Sequence, residues 1–270
     1  MSGVPDSTAT FADVDGAERP AAFADYLHTI SAESEIKRYK QYAFSLLALR
    51  PGDHVLDVGC GLGQDAAALA AIVGPNGRAI GLDASNTLLT QARTAFPSVT
   101  FVHGDATALP FDDASFDCVR ADRVLVHLAD PLGAVREMRR VLRPGGMLAL
   151  TEPDWAGLLI DADREVTRRI LDTACDGYAQ GWIGRALPRI MRQAGYSEVY
   201  VEGVTLLFPD LAVARHLWEL DAAAAAAVAK GAVTQRDADA WIADLEARQA
   251  RGEFFCSLTG IDVMGRKSPA

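Results

Sequence analysis

The chain of 270 residues has no cysteine pair close enough to chelate a metal or staple a loop: its four, Cys60, Cys118, Cys175 and Cys256, include no C-x-x-C motif. A structural zinc site and a disulfide framework are thereby excluded, and the thiols read as core groups in a reducing, cytoplasmic compartment. Clusters of basic residues are missing too. With 36 acidic against 26 basic side chains and a net charge of −10, the chain repels a phosphate backbone, and nucleic acid is not an expected partner. Long apolar runs are absent: residues 1–20 hold neither a basic region nor an apolar stretch, and the alanine tract 222–229 is short and flanked by charge. No membrane partner is expected. Tryptophan is absent until Trp155, so all four indoles fall in the second half of the chain.

Half of the residues are apolar, enough to bury a sizeable core. Residues 1–20, rich in Ser, Thr, Asp, Ala and Pro, carry too few large apolar groups to offset the entropy of ordering them, and a flexible tail is expected. Over residues 21–50 apolar positions recur at helical spacing until Pro51-Gly52, which predicts two helices capping the domain that follows. Between Asp53 and Glu152, β-rich runs at 54–58, 79–82, 99–103, 116–121 and 147–151 alternate with helical patterns at 66–73, 85–95 and 131–142. Such alternation reads as a parallel sheet with crossover helices. Beyond Glu152 the pattern predicts helices at 163–178, 183–193, 211–230 and 234–251, with strands at 199–208 and 253–264.

The most informative stretch is Val55-Leu56-Asp57-Val58-Gly59-Cys60-Gly61-Leu62-Gly63, an apolar strand running into a glycine loop that opens a helix. Glycines let backbone approach a ligand closely, and a helix N-terminus attracts negative charge. Asp83 ends the second strand, where a carboxylate accepts hydrogen bonds from both hydroxyls of a ribose. Asp105 ends the third, where it and its neighbouring backbone meet an adenine edge. Three consecutive strand ends thus suit one nucleoside. A dinucleotide-binding protein also places glycines after strand one and an acid after strand two, but its fingerprint is G-x-G-x-x-G. Here the spacing is G-x-G-x-G, Asp57 sits inside the strand, and the third-strand acid is extra.

The successive segments VLDVGCGLG, GLDAS, GDATALPF, FDCVRADRVLVHL and LRPGGMLALTEP resemble the motifs of class I S-adenosylmethionine-dependent methyltransferases, in particular small-molecule enzymes of ubiquinone, menaquinone and natural-product biosynthesis. The resemblance implies an α/β Rossmann-like fold with a seven-stranded, mostly parallel sheet of order 3-2-1-4-5-7-6, strand seven antiparallel. It implies S-adenosyl-L-methionine as cofactor. The backbone of Gly59, Gly61 and Gly63 would cradle its methionine part, Asp57 would order that loop, and Asp83 would hold the ribose. Asp105 and Ala106 would contact adenine, Ala84 would pack on its face, and the carbonyl of Ala121 would face the amino group. Residues 51–270 form the expected methyltransferase domain, with helical insertions at about 154–181 and 211–251 standing over the carboxyl ends of the strands as a substrate lid.

The resemblance implies a cofactor and leaves the acceptor open. Methyl transfer to a hydroxyl needs proton removal as well as alignment. His127, just after strand four, is the candidate base, against packing or local capping as its alternative role. Glu152 is its rival, and Asp154 beside it is a candidate substrate contact. Trp155, Tyr178, Trp182 and Trp218 fall in or beside the insertions and are candidates for an aromatic-walled pocket, or for gluing the helices down. Arg123 stands where the family is commonly apolar, and pairs either with an acidic acceptor or with Asp122. No Asp/His cluster resembles a magnesium site, so a metal-independent reaction is expected. The expected function is O-methylation of a small, largely apolar molecule; the alternatives are carbon methylation of a quinone or polyketide-like ring, and a cyclisation or rearrangement that leaves the cofactor intact.

Overall fold

A computed structural model describes residues 11–269 of the chain. The central strand β1 (His54–Val58) is buried from Val55 onward, which requires cover on both faces. It pairs in parallel with β2 (Arg78–Asp83) on one side and β4 (Phe116–Asp122) on the other. β3 (Thr100–His103) extends the sheet beyond β2, and β5 (Leu142–Pro153) extends it beyond β4. The last strand β8 (Cys256–Lys267) runs antiparallel to β5 on one edge and to β7 (Tyr196–Leu207) on the other. The resulting order is 3-2-1-4-5-8-7, in which β8 and β7 take the places of strands seven and six of the implied order 3-2-1-4-5-7-6. A two-residue strand β6 (Leu159–Ile160) is added: Ser257 of β8 pairs with Leu159 on one side and Leu207 on the other, so β6 prolongs the edge held by β5.

Crossover helices α3 (Gln64–Val73), α4 (Asn86–Ala95) and α5 (Pro131–Val141) lie where the alternation predicts them. Their starts have identifiable causes: Ser85 Oγ accepts from Leu88 N at 3.2 Å ahead of α4, and Asp130 Oδ1 accepts from Gly133 N at 2.8 Å ahead of α5, which Pro131 opens. One face of the sheet buries Leu56, Val58, Ile80 and Leu82 under α5 and α7 (Ile183–Gln193); the other buries Val55, Ala79 and Cys118 with Leu69 and Val73 of α3.

A second apolar core lies above the sheet. It is built from α6 (Arg164–Cys175), α8 (Leu211–Leu217), α9 (Leu220–Ala229) and α10 (Gln235–Ala250), joined by residues of α1 (Pro20–Ala32) and α2 (Ser34–Leu46). Trp241 is fully buried there, its Nε1 donating to Thr167 Oγ1 at 2.8 Å. The expected single helix 211–230 is in fact two, because Glu219 takes a left-handed φ of +47°. Part of the segment expected as a flexible tail, residues 1–20, packs on the domain. Residues 1–10 lie outside the described residues, but Val14 is buried, and Asp15 accepts from Ser85 Oγ (2.6 Å), Asn86 N (2.8 Å) and Thr87 N (3.1 Å) at the start of α4. Hydrogen bonding to that helix end lowers the Asp15 carboxyl to about 2. Among the described residues no helix is long and apolar enough to cross a membrane.

Candidate functional site

The carboxyl ends of β1, β2 and β4, the turn after β3 and the helices above them enclose a cavity of about 730 Å³, within the size range of small-molecule sites. At its polar end the glycine loop turns sharply: Gly59, Gly61 and Gly63 all have left-handed φ, at +71°, +51° and +81°. A Cβ on Gly59 would run into Val124 Cγ2, so a side chain is excluded by both backbone and space. Gly59 and Gly61 line the cavity, whereas Gly63 does not; its neighbour is Phe101 of β3, behind the loop.

Asp83 reaches across to this loop. Its Oδ2 accepts from Gly61 N at 2.8 Å and its Oδ1 from Ser85 N at 2.9 Å. Burial lifts its carboxyl above the ordinary range, opposed by those two N–H groups. Asp105 accepts from Thr107 N (2.7 Å) and Thr107 Oγ1 (2.8 Å), and Ala84, Asp105 and Ala106 line the same wall. Asp57 has one oxygen on Arg120 Nη1 at 2.9 Å, while its buried Oδ2 has no hydrogen-bond partner among the described residues. Burial raises its carboxyl despite Arg120. An unpaired acceptor beside a glycine cradle fits a ligand bearing an ammonium group, as S-adenosyl-L-methionine does. Ala121, expected to present its carbonyl there, is a core residue and is not part of the cavity wall.

Arg120 is the site's main surprise. It is 2% exposed and ion-pairs with Asp57 (2.9 Å), Asp65 (3.0 Å) and Asp122 (2.8 Å), with its guanidinium 5.0 Å above the Phe44 ring. Lys40 of α2 completes the network, 2.7 Å from Asp65. A buried cation in a strand must be matched by carboxylates, and three line the cavity around it. The signal was present in the sequence as a charge inside the otherwise buried run of β4, as was Asp65 in the first turn of α3.

At the other end the wall is aromatic: Phe11, Tyr26 of α1, Trp155 and Tyr178 line it, with Trp155 stacked on Tyr178 at 4.8 Å between ring centres. His127 lies in a 3-10 turn, Leu125–His127, with Phe11 at 5.4 Å and Tyr178 at 6.4 Å. Its buried Nδ1 has no hydrogen-bond partner among the described residues. Burial, helped by the charge of Arg123, lowers its pKa to about 4, so the ring is neutral at physiological pH.

Glu152 is not in the cavity wall. It is fully buried beneath this turn, its Oε1 accepting from Val124 N (2.9 Å) and Leu125 N (2.6 Å), and burial pushes it up to about 8. It holds the turn that carries His127, a supporting position that does not suit the rival base. Asp154 is likewise turned away, clamped by Arg185 Nε (2.9 Å) and Nη2 (2.6 Å), and Trp182 is 54% exposed under that same guanidinium. Neither lines the cavity, and Trp218 stands behind Trp155, edge-on at 5.5 Å. Phe11, Tyr26, Lys40 and Glu219, which line it, were not singled out by the sequence.

A family model described as a methyltransferase domain matches residues 56–150. An uncharacterised 37.1 kDa protein in transposon TN4556 of Streptomyces fradiae is 39% identical over 249 residues, covering 90% of this chain and 71% of that one. Demethylmenaquinone methyltransferase of Staphylococcus epidermidis is 38% identical over 131 residues, 47% of this chain. The match spans only about half of that enzyme's length, 54%. The fold is similar to that of phosphoethanolamine N-methyltransferase 2 of Haemonchus contortus, solved with S-adenosyl-L-methionine: TM-score 0.60 at 16% identity, covering 97% of this chain and 60% of that one. The chain belongs to the class I S-adenosylmethionine-dependent methyltransferases, and S-adenosyl-L-methionine is its cofactor.

Proposed function

We propose that the protein methylates a small, largely apolar organic molecule at a hydroxyl oxygen. The observation that carries this reading is the division of one cavity into a polar, nucleoside-suited end and an aromatic end of Phe11, Tyr26, Trp155 and Tyr178. When bound, the cofactor supplies an electrophilic methyl group on a sulfonium. In this reading Asp83 binds the ribose hydroxyls, Asp105 and Ala106 meet the adenine, and the unpaired Asp57 Oδ2 accepts from the amino group. Trp155 and Tyr178 hold the acceptor flat, so that its oxygen is aligned and water is kept out.

His127 accepts the acceptor's hydroxyl proton on its neutral imidazole, either fully or as a hydrogen bond that orients the oxygen. A neutral imidazole with so low a proton affinity suits an acceptor that is itself acidic. Residues 154–181 and 211–251 act as the lid over this end, contributing Trp155, Tyr178, Leu217 and Glu219 to its wall. The testing experiment incubates the protein with methyl-labelled cofactor and a panel of phenols and enols. The expected outcome is an O-methylated product carrying the label, in step with S-adenosylhomocysteine release. Label on carbon, or acceptor consumed while the cofactor stays intact, refutes it.

A further inference from the structure

One cation faces the aromatic end of the cavity. Arg123 follows β4, lines the cavity, and its side chain is 25% exposed. Among the described residues its side chain makes one hydrogen bond, Nε to Asp122 Oδ1, long at 3.3 Å. Both terminal nitrogens of the guanidinium are without a hydrogen-bond partner among the described residues. Asp122 is held by two cations: its other oxygen takes Arg120 Nη2 at 2.8 Å, and, against burial, the charge of Arg123 also lowers its carboxyl, through Nε and without engaging the terminal nitrogens.

The backbone holds Arg123 in place. Its φ is +58°, a left-handed conformation that is costly for a residue with a Cβ. The amide of Arg123 donates to Thr151 O at 2.8 Å, and the next amide, of Val124, donates to Glu152 Oε1 at 2.9 Å. These bonds fix the conformation from a buried strand and a buried carboxylate. Titratable groups facing the guanidinium are Tyr26 on α1, Tyr39 on α2, Asp65 on α3, Asp122 on β4, and His127 on the turn. A guanidinium fork with open donors, in an apolar and aromatic enclosure, recognises a planar oxyanion strongly.

We infer that Arg123 is a specificity-determining residue, pairing through its terminal nitrogens with a resonance-stabilised oxyanion of the acceptor: an ionised phenol or enol, or a carboxylate. This deepens the proposed methyl-transfer reading and rests on it for the identity of the ligand as acceptor. It accounts for a neutral, weakly basic His127 beside the acceptor: a nearby cation favours ionisation of the acceptor itself, and less is asked of a base.

The test is equilibrium binding to the full-length protein saturated with S-adenosylhomocysteine, using 4-nitrophenol, 4-nitrobenzoate and the neutral 4-nitroanisole. Absorbance of 4-nitrophenol reads its ionisation directly. The expected result is an ionisation midpoint about one pH unit lower on the protein than in solution, equivalent to about tenfold preference for the anion. R123Q abolishes that preference and R123K keeps part of it, while both bind S-adenosylhomocysteine as the wild type does. If 4-nitrobenzoate binds tighter than 4-nitrophenolate, the oxyanion is a carboxylate; the reverse order assigns it to an ionised hydroxyl, and either result supports the pairing. The proposal is overturned if 4-nitroanisole binds as tightly as both anions, or if a folded R123Q protein keeps the wild-type preference. Should R123Q fail to fold, the wild-type comparison of anions with 4-nitroanisole decides. No turnover is required, so failure here is distinct from failure of methyl transfer, which is read in the mass of the product.

Discussion

Replacing Asp83 with alanine removes the carboxylate that joins the glycine loop to the end of β2. Two losses follow and they are separable. In the free protein, the amides of Gly61 and Ser85 lose acceptors at 2.8 and 2.9 Å, which costs about 1–3 kcal/mol for each amide that water cannot reach. In the complex, the proposed charge-assisted bonds to the ribose hydroxyls are lost as well, worth about 1.5–3 kcal/mol. The second loss weakens S-adenosyl-L-methionine binding by about ten- to a hundredfold. Asp83→Asn keeps one acceptor oxygen but turns an amino group toward one of the two amides, so it should fall between wild type and alanine. Calorimetric titration gives affinity, and thermal unfolding gives stability. Asp105→Ala should cost less, because an adenine edge keeps backbone partners when that carboxylate is removed. A folded Asp83→Ala protein with unchanged cofactor affinity refutes the reasoning, and a larger effect at Asp105 reverses the assignment of the two acids.

Glu152→Gln should preserve fold and cofactor affinity, because the wild-type carboxyl is held near 8 and is neutral at pH 7; Glu152→Ala should lower stability by about 1–3 kcal/mol per unpaired amide at Val124 and Leu125, read by urea unfolding. Arg120→Met leaves Asp57, Asp65 and Asp122 without their common cation, and should destabilise the fold by about 3–5 kcal/mol in the same assay. His127 binds its proton less readily folded than unfolded, so it contributes stability above the unfolded value of 6.5 that is lost as pH falls toward about 4. Unfolding curves across that window should show a pH dependence that His127→Asn reduces. Since the ring is already neutral above about pH 5, kcat/KM between about pH 6 and 8 should follow the acceptor's ionisation, and His127→Asn should lower kcat about 10²- to 10⁴-fold for weakly acidic acceptors and less for strongly acidic ones.

The sheet was legible because its cause is local. Buried strands read as apolar runs, and Ser85, Pro131 and the glycine loop punctuate them where the backbone turns. The helix break at Glu219 was not legible, since nothing in an alanine-rich stretch interrupts helical propensity. It comes with contacts made at a distance: Trp218 meets Phe208 and Trp155 edge-on at 5.2 and 5.5 Å, and Leu217 O accepts from Tyr26 Oη at 3.3 Å. The docked segment around Asp15 escaped for the same reason, as its partners begin 70 residues away at Ser85. In the candidate site, Gly59, Gly61, Asp57, Asp83 and Asp105, which line the cavity, lie at or beside strand ends that the apolar runs mark. The acceptor side could not be read in this way, because position along the chain does not give side-chain direction. Asp154 and Trp155 are adjacent, yet one turns out to Arg185 and the other lines the cavity.

The central claim is that one cavity holds the nucleoside at its glycine end and the acceptor at its aromatic end. A crystal structure of the protein with S-adenosylhomocysteine tests it most directly. The account predicts the ribose hydroxyls on the Asp83 carboxylate, the amino group within hydrogen-bond reach of Asp57 Oδ2, and the sulfur facing the space bounded by His127, Trp155 and Tyr178. A ribose seated away from Asp83, or a sulfur directed away from the aromatic end, contradicts it.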